Sequence, residues 1–177
     1  KAREKALAAN LKIDFQKHDA RELPFKKSFD VALMLCEGGF PLMETDELNF
    51  EILKSAAASL KKGGKFMFTT LNGLFPLFNS LNEFYDSNTT TGDANYLSKS
   101  FDLMTFRDSN TTTFEDDDGN NIEIECNERY YIPSEITWLL KSLGFEKIEI
   151  FGAKLGAFSR NDKLTTKDFE MLVIAEK

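Results

Sequence analysis

Few residues in this chain are of a type that does chemistry, and their arrangement narrows what that chemistry can be. There is one histidine, His18, so a zinc site or proton relay needing two is excluded. The two cysteines, Cys36 and Cys126, make neither a disulfide framework nor a four-cysteine metal site. Cys36 has the makings of a nucleophile, but it follows an apolar run and reads first as a small buried side chain. Glu37 beside it either faces a ligand or caps the next turn. His18 could act as a base, although a lone histidine usually serves structure or sits in solvent. The acidic run Glu115–Asp118 reads as the solvated tip of a hairpin.

Aromatic residues gather in one stretch. Phe75, Phe78, Phe84 and Tyr85 recur at near-helical spacing, which suits either a small core of their own or a substrate cage. Arg129, Tyr130 and Tyr131 end a strand-like segment. Alternation sends Tyr130 to the opposite face from its two neighbours.

The secondary structure around these residues reads as α/β. Residues 1–10 are strong helix formers. Residues 11–17 (LKIDFQK) alternate apolar and polar and predict a strand. Residues 29–35 (FDVALML) predict a strand buried on both faces, as in a parallel sheet. A helix is expected over 49–60, closed by Lys61-Lys62-Gly63-Gly64, followed by a strand at 65–71. Two hairpin strands, 101–115 and 121–131, flank the turn EDDDGNN. A helix opened by Pro133-Ser134-Glu135 and strands over 145–153 and 169–177 complete the series. One domain is expected over 1–177, with residues 72–128 inserted as a hairpin-bearing lid.

Composition sets the remaining bounds. Twenty-nine acidic against 22 basic residues give a net charge of −7, which argues against a nucleic-acid surface. No apolar run approaches the ~18 residues that a membrane helix needs. A cytoplasmic protein acting on a small molecule is the expectation; the oligomeric state is left open.

The succession KIDFQKHDARELPF, FDVALMLCEGGF, LKSAAASLKKGGKFMFTT, RYYIPSEITWLLKSLGFEKIEIF and MLVIAEK resembles the later two-thirds of the class I S-adenosylmethionine-dependent methyltransferases. The resemblance covers nearly the whole chain outside 72–128. It implies a Rossmann-like open sheet with an inserted antiparallel lid, S-adenosylmethionine as cofactor, and no metal. It places Asp19, with Ala20 and Arg21, at the adenine, and Leu35, Cys36, Glu37 and Phe40 at the methionine end. Phe75, Phe78, Tyr85, Arg129 and Tyr131 become candidates for the acceptor site. No obligatory general base is expected, since the transferred methyl is already activated.

The family's glycine-rich turn and its ribose-binding acid have no counterpart here. The sequence is therefore expected to continue upstream by roughly 50–80 residues, judged from domain sizes. Without the two strands carrying those motifs, a gap of ~10 Å would open in the sheet, and the 177 residues alone should bind the cofactor poorly. A nicotinamide-dependent oxidoreductase and a non-catalytic protein that keeps the fold are the alternatives.

Overall fold

The computed structural model describes residues 1–36, 39–78, 95–116, 119–154 and 157–177, without the side chains of 95–100. Its strands form two sheets. The main one has the order β1 (Phe29–Met34), β2 (Leu60–Leu71), β7 (Glu170–Glu176), β6 (Lys147–Ala153), and β3 (Asn95–Asp102), β4 (Arg107–Glu115) and β5 (Asn121–Arg129) form a separate three-stranded sheet.

The main sheet begins with β1 (Phe29–Met34), which runs parallel to β2 (Leu60–Leu71). Between them lies α2 (Asp46–Ser59), the crossover that parallel strands require. Thr45 caps it, its Oγ1 accepting from the Leu48 N–H at 3.3 Å. Its buried Ile52, Leu53, Ala56 and Ala57 pack onto Phe66 and Phe68 of β2. The basic and glycine residues 61–64 belong to the start of β2 rather than to the helix end: the Gly63 N–H donates to the Lys177 carbonyl, and the Gly64 carbonyl accepts from the Lys177 N–H.

The far side of the sheet is built from α4 (Pro133–Ser142), β6 (Lys147–Ala153) and β7 (Glu170–Glu176). β7 is antiparallel to both β2 and β6, and all but its terminal residues are buried. Central strands covered on both faces read as unbroken apolar runs, and MLVIA is such a run.

Two sequence expectations fail here for related reasons. Residues 11–17 form no strand; among the described residues no strand pairs with them, and Leu11 and Ile13 stay exposed. β1 is not buried on both faces. It pairs only with β2 among the described residues, leaving Val31 and Leu33 52% and 63% exposed. A short helix, α1 (Ala2–Ala8), precedes this region.

In the inserted segment, α3 (Leu74–Phe78) follows β2, and the small sheet comprises β3 (Asn95–Asp102), β4 (Arg107–Glu115) and β5 (Asn121–Arg129). The sequence suggested one strand over 101–115. The structure divides it at 103–106, where Asp102 accepts from the Met104 N–H and the Thr105 hydroxyl, both at 2.8 Å. Such an Asx turn reverses the chain locally, and Phe106, at φ 54°, completes it.

Candidate functional site

β1 and β2 are parallel and end at one edge of the sheet, and the β6–β7 loop lies at that edge because β7 runs the other way. Ligands of open α/β sheets bind outside the carboxyl ends of the parallel strands. The chain leaves β1 through Leu35 and then Cys36, whose φ of 56° is in the left-handed region. Few residues other than glycine sit there, and such turns concentrate at functional sites. This turn throws the Cys36 thiol outward, so the side chain is exposed, not buried as its apolar approach suggested. Glu37 lies outside the described residues. Phe40 is fully buried: its ring meets Phe68 edge-on at 5.9 Å and stacks on Tyr131 at 4.9 Å. It anchors the loop that carries Leu35 and Cys36.

Asp19 lies in the exposed loop before β1, tied to Arg21. The guanidinium donates from Nη2 at 2.6 Å and from Nε at 3.0 Å, and the Arg21 backbone N–H adds a third bond at 2.9 Å. These bonds hold the Asp19 carboxyl down at about 2, and the same pair raises the Arg21 guanidinium. Asp19 is thus an anion at any working pH. Because its folded pKa lies below the unfolded value, any stability the pair contributes is present above about pH 4 and lost as pH falls through about 2. We expect the Asp19 carboxyl carbon resonance to titrate near pH 2, and Arg21→Ala to return it toward ordinary aspartate values.

Beside this pair, His18 Nε2 meets Gln16 Oε1 at 2.8 Å, and its ring lies edge-on to Phe25. Gln16, His18, Ala20, Leu23, Phe25 and Phe29 line a cavity of about 630 Å³. The Leu23 N–H donates to Ser55 Oγ at 2.8 Å, fixing the loop to α2.

Arg129 and Tyr131 come together with Phe40, and with residues that the sequence did not single out. Arg129 Nε donates to Asp46 at 3.3 Å and Nη2 to Glu135 at 2.7 Å, while Nη1 donates to the Tyr130 carbonyl. Arg107 of β4 donates to the other Asp46 oxygen at 2.6 Å, and to the Met43 carbonyl and Asn127 Oδ1 at 2.9 Å each. This clasp fastens the small sheet to the first turns of α2 and α4. Glu135 also accepts from the Ile132 N–H at 2.8 Å, capping α4. Besides Arg129 and Tyr131 themselves, the helix-opening Pro133-Ser134-Glu135 was the sequence signal for this cluster. Asp46, Asn49 and Arg107 gave none.

Tyr131 lies between two partners, with Phe40 on one ring face and the Arg129 guanidinium 4.6 Å from the ring centroid. Its hydroxyl hydrogen-bonds Asn49. Burial, and then the Asp46 carboxylate, push the phenol well above its ordinary range. Asn49 is itself fully buried, accepting from the Met43 N–H at 3.0 Å.

The other aromatic candidates are elsewhere. Phe75 meets Phe169 edge-on at 5.5 Å, in a second cluster with Leu71 and Tyr130. Alternation therefore does separate Tyr130 from Tyr131. Phe78 is 69% exposed, and Phe84 and Tyr85 lie outside the described residues.

No protein-family model and no curated sequence matches this chain. Solved structures do. An S-adenosylmethionine-dependent methyltransferase from Clostridium acetobutylicum superimposes with a TM-score of 0.68 at 16% identity, over 99% of this chain and 69% of that one. The CcbJ methyltransferase from Streptomyces caelestis gives 0.68 at 15% identity, over 98% and 72%. A further S-adenosylmethionine-dependent methyltransferase, from Methanosarcina mazei, gives 0.54 at 17%, over 94% and 68%. The chain has the class I methyltransferase fold.

Proposed function

We propose that this protein transfers a methyl group from S-adenosylmethionine to a small-molecule acceptor by in-line displacement, in the cytoplasm. The observation that carries the reading is β7, antiparallel between β2 and β6, in a fold superimposable on methyltransferases. A dinucleotide-binding doubly wound sheet is parallel through its corresponding strands, which disfavours a nicotinamide-dependent oxidoreductase. Among the described residues no helix is long and apolar enough to cross a membrane.

The residues at the sheet edge fit the cofactor. The Asp19 carboxylate is ionised and half exposed; Arg21 donates twice to each of its oxygens, and the longest of these bonds, Nε to Oδ2 at 3.2 Å, is the one an adenine amine would replace. The adjoining cavity of about 630 Å³ is lined at one end by His18 and Ala20, next to Asp19, and at the other by Ser28 and Phe29, where β1 begins; a purine would occupy the Ala20 end. In this reading Asp19 accepts from the adenine amine and the Ala20 N–H serves a ring nitrogen. Arg21 holds Asp19 charged and oriented. The turn Leu35–Cys36 brings backbone to the methionine end, and buried Phe40 keeps that turn in place. Arg129 and Tyr131 orient the acceptor side from beneath.

The bound cofactor supplies a methyl group already activated by its positive sulfur. The chain's own work is then positioning and exclusion of water. We further propose that additional strands of the same polypeptide pair with the open edge of β1, covering Val31 and Leu33 and completing the cofactor site.

In protein made from its own start codon, Asp19→Asn is expected to weaken S-adenosylhomocysteine binding about tenfold or more, the worth of a hydrogen bond to a charged group. Calorimetric titration measures this. An unchanged affinity would remove Asp19 from the site.

A further inference from the structure

We propose that the cavity between the first turns of α2 and α4 is a binding site for an organic cation, an ammonium group carried on an apolar body. Its volume is about 340 Å³, and it shares no lining residue with the cavity beside Asp19. That volume is at the lower end of the range for small-molecule pockets.

The order in which charges meet solvent selects the ligand. The Arg129 and Arg107 side chains are 8% and 13% exposed, whereas those of Asp46 and Glu135 are 53% and 37% exposed. The guanidinium groups therefore lie behind, and the carboxylates in front. Each Asp46 oxygen accepts one bond from an arginine, and the Glu135 oxygens accept from Arg129 and from the Ile132 N–H. A carboxylate oxygen takes two donors, so each of the four keeps an acceptor site. A ligand thus meets acceptors first. An anion would have to pass two carboxylates to reach either arginine.

The aromatic wall points to the same class. Both faces of Tyr131 are taken, by Phe40 and by Arg129. Trp138, one helical turn beyond Ser134 and Glu135 on α4, lines the cavity and is 69% exposed. An open indole face is the best aromatic partner for a cation. Leu139 beside it covers the apolar body of the ligand. The ammonium then sits between the indole and the two carboxylates, with no donor of the protein required.

Trp138 is the chain's single tryptophan, so its fluorescence reads this cavity directly. The experiment titrates benzylammonium and, separately, benzoate into the protein. Saturable quenching by the cation is expected, with a dissociation constant on the order of 1 mM for a ligand of that size, and none by benzoate. Ser134 lines the cavity and is exposed. Ser134→Lys should weaken the cation at least about tenfold while leaving the thermal midpoint unchanged. Trp138→Leu, followed by calorimetry, should weaken it at least about fivefold. A cation that does not saturate, benzoate that quenches equally, or variants that bind like the parent would each overturn the proposal.

Discussion

Phe40→Ala is expected to cost about 3–5 kcal/mol of folding stability and to lower the thermal midpoint by roughly 10 °C. The ring is fully buried, edge-on to Phe68 and stacked on Tyr131. Truncation removes transfer free energy and both aromatic contacts, and leaves a cavity that β2 and the strand-end residue Tyr131 cannot readily close. Phe40→Leu keeps most of the volume, so less than half of the loss is expected. Urea unfolding followed by circular dichroism measures both. An alanine variant as stable as the parent would mean that Phe40 is a ligand-facing side chain, as the sequence suggested, and not a support beneath the loop.

The second large effect is expected at Arg129. Its guanidinium joins Asp46, Glu135 and the Tyr130 carbonyl, and packs over Tyr131. Removing one member of a buried charge network costs about 3–5 kcal/mol. Here Asp46 and Glu135 are partly in water and can rehydrate, so Arg129→Ala should lie near the low end, at about 3 kcal/mol. Arg129→Lys should recover little, because an ammonium cannot span three partners that a planar fork reaches. Arg107 shares Asp46 from the small sheet, so Arg107→Ala and Arg129→Ala should be non-additive in a double-mutant cycle. Additive losses would show that the clasp does not act as a unit.

Much of the fold was legible because its signals are local or periodic. The apolar run of β7, the capped start of α4 and the helical stripe of α2 name themselves. What the sequence could not show depends on partners. Residues 11–17 carry a strand's alternation, but a strand exists only where another pairs with it, and among the described residues none does. β1 reads as a doubly buried strand, and with one pairing partner it stays half exposed. Cys36 follows an apolar run, yet a left-handed backbone turn, invisible in residue type, turns its thiol to solvent. In the clasp, Asp46 and Arg107 are 61 residues apart. Nothing in either neighbourhood announces the other. Arg129 and Tyr131 stood out by type and position, and the structure makes them neighbours of Phe40. It separates them from Phe75, which belongs to the cluster around Tyr130.

Whether this fold binds S-adenosylmethionine is tested by a calorimetric titration of S-adenosylhomocysteine. Protein produced from its own start codon is expected to bind it saturably, one to one, in the micromolar range. The 177 residues alone should give no measurable heat. No binding by a cooperatively folded sample of the former would contradict the methyltransferase reading and favour a non-catalytic protein that keeps the fold. Tight binding by the 177 residues would contradict the proposal that further strands at β1 complete the site.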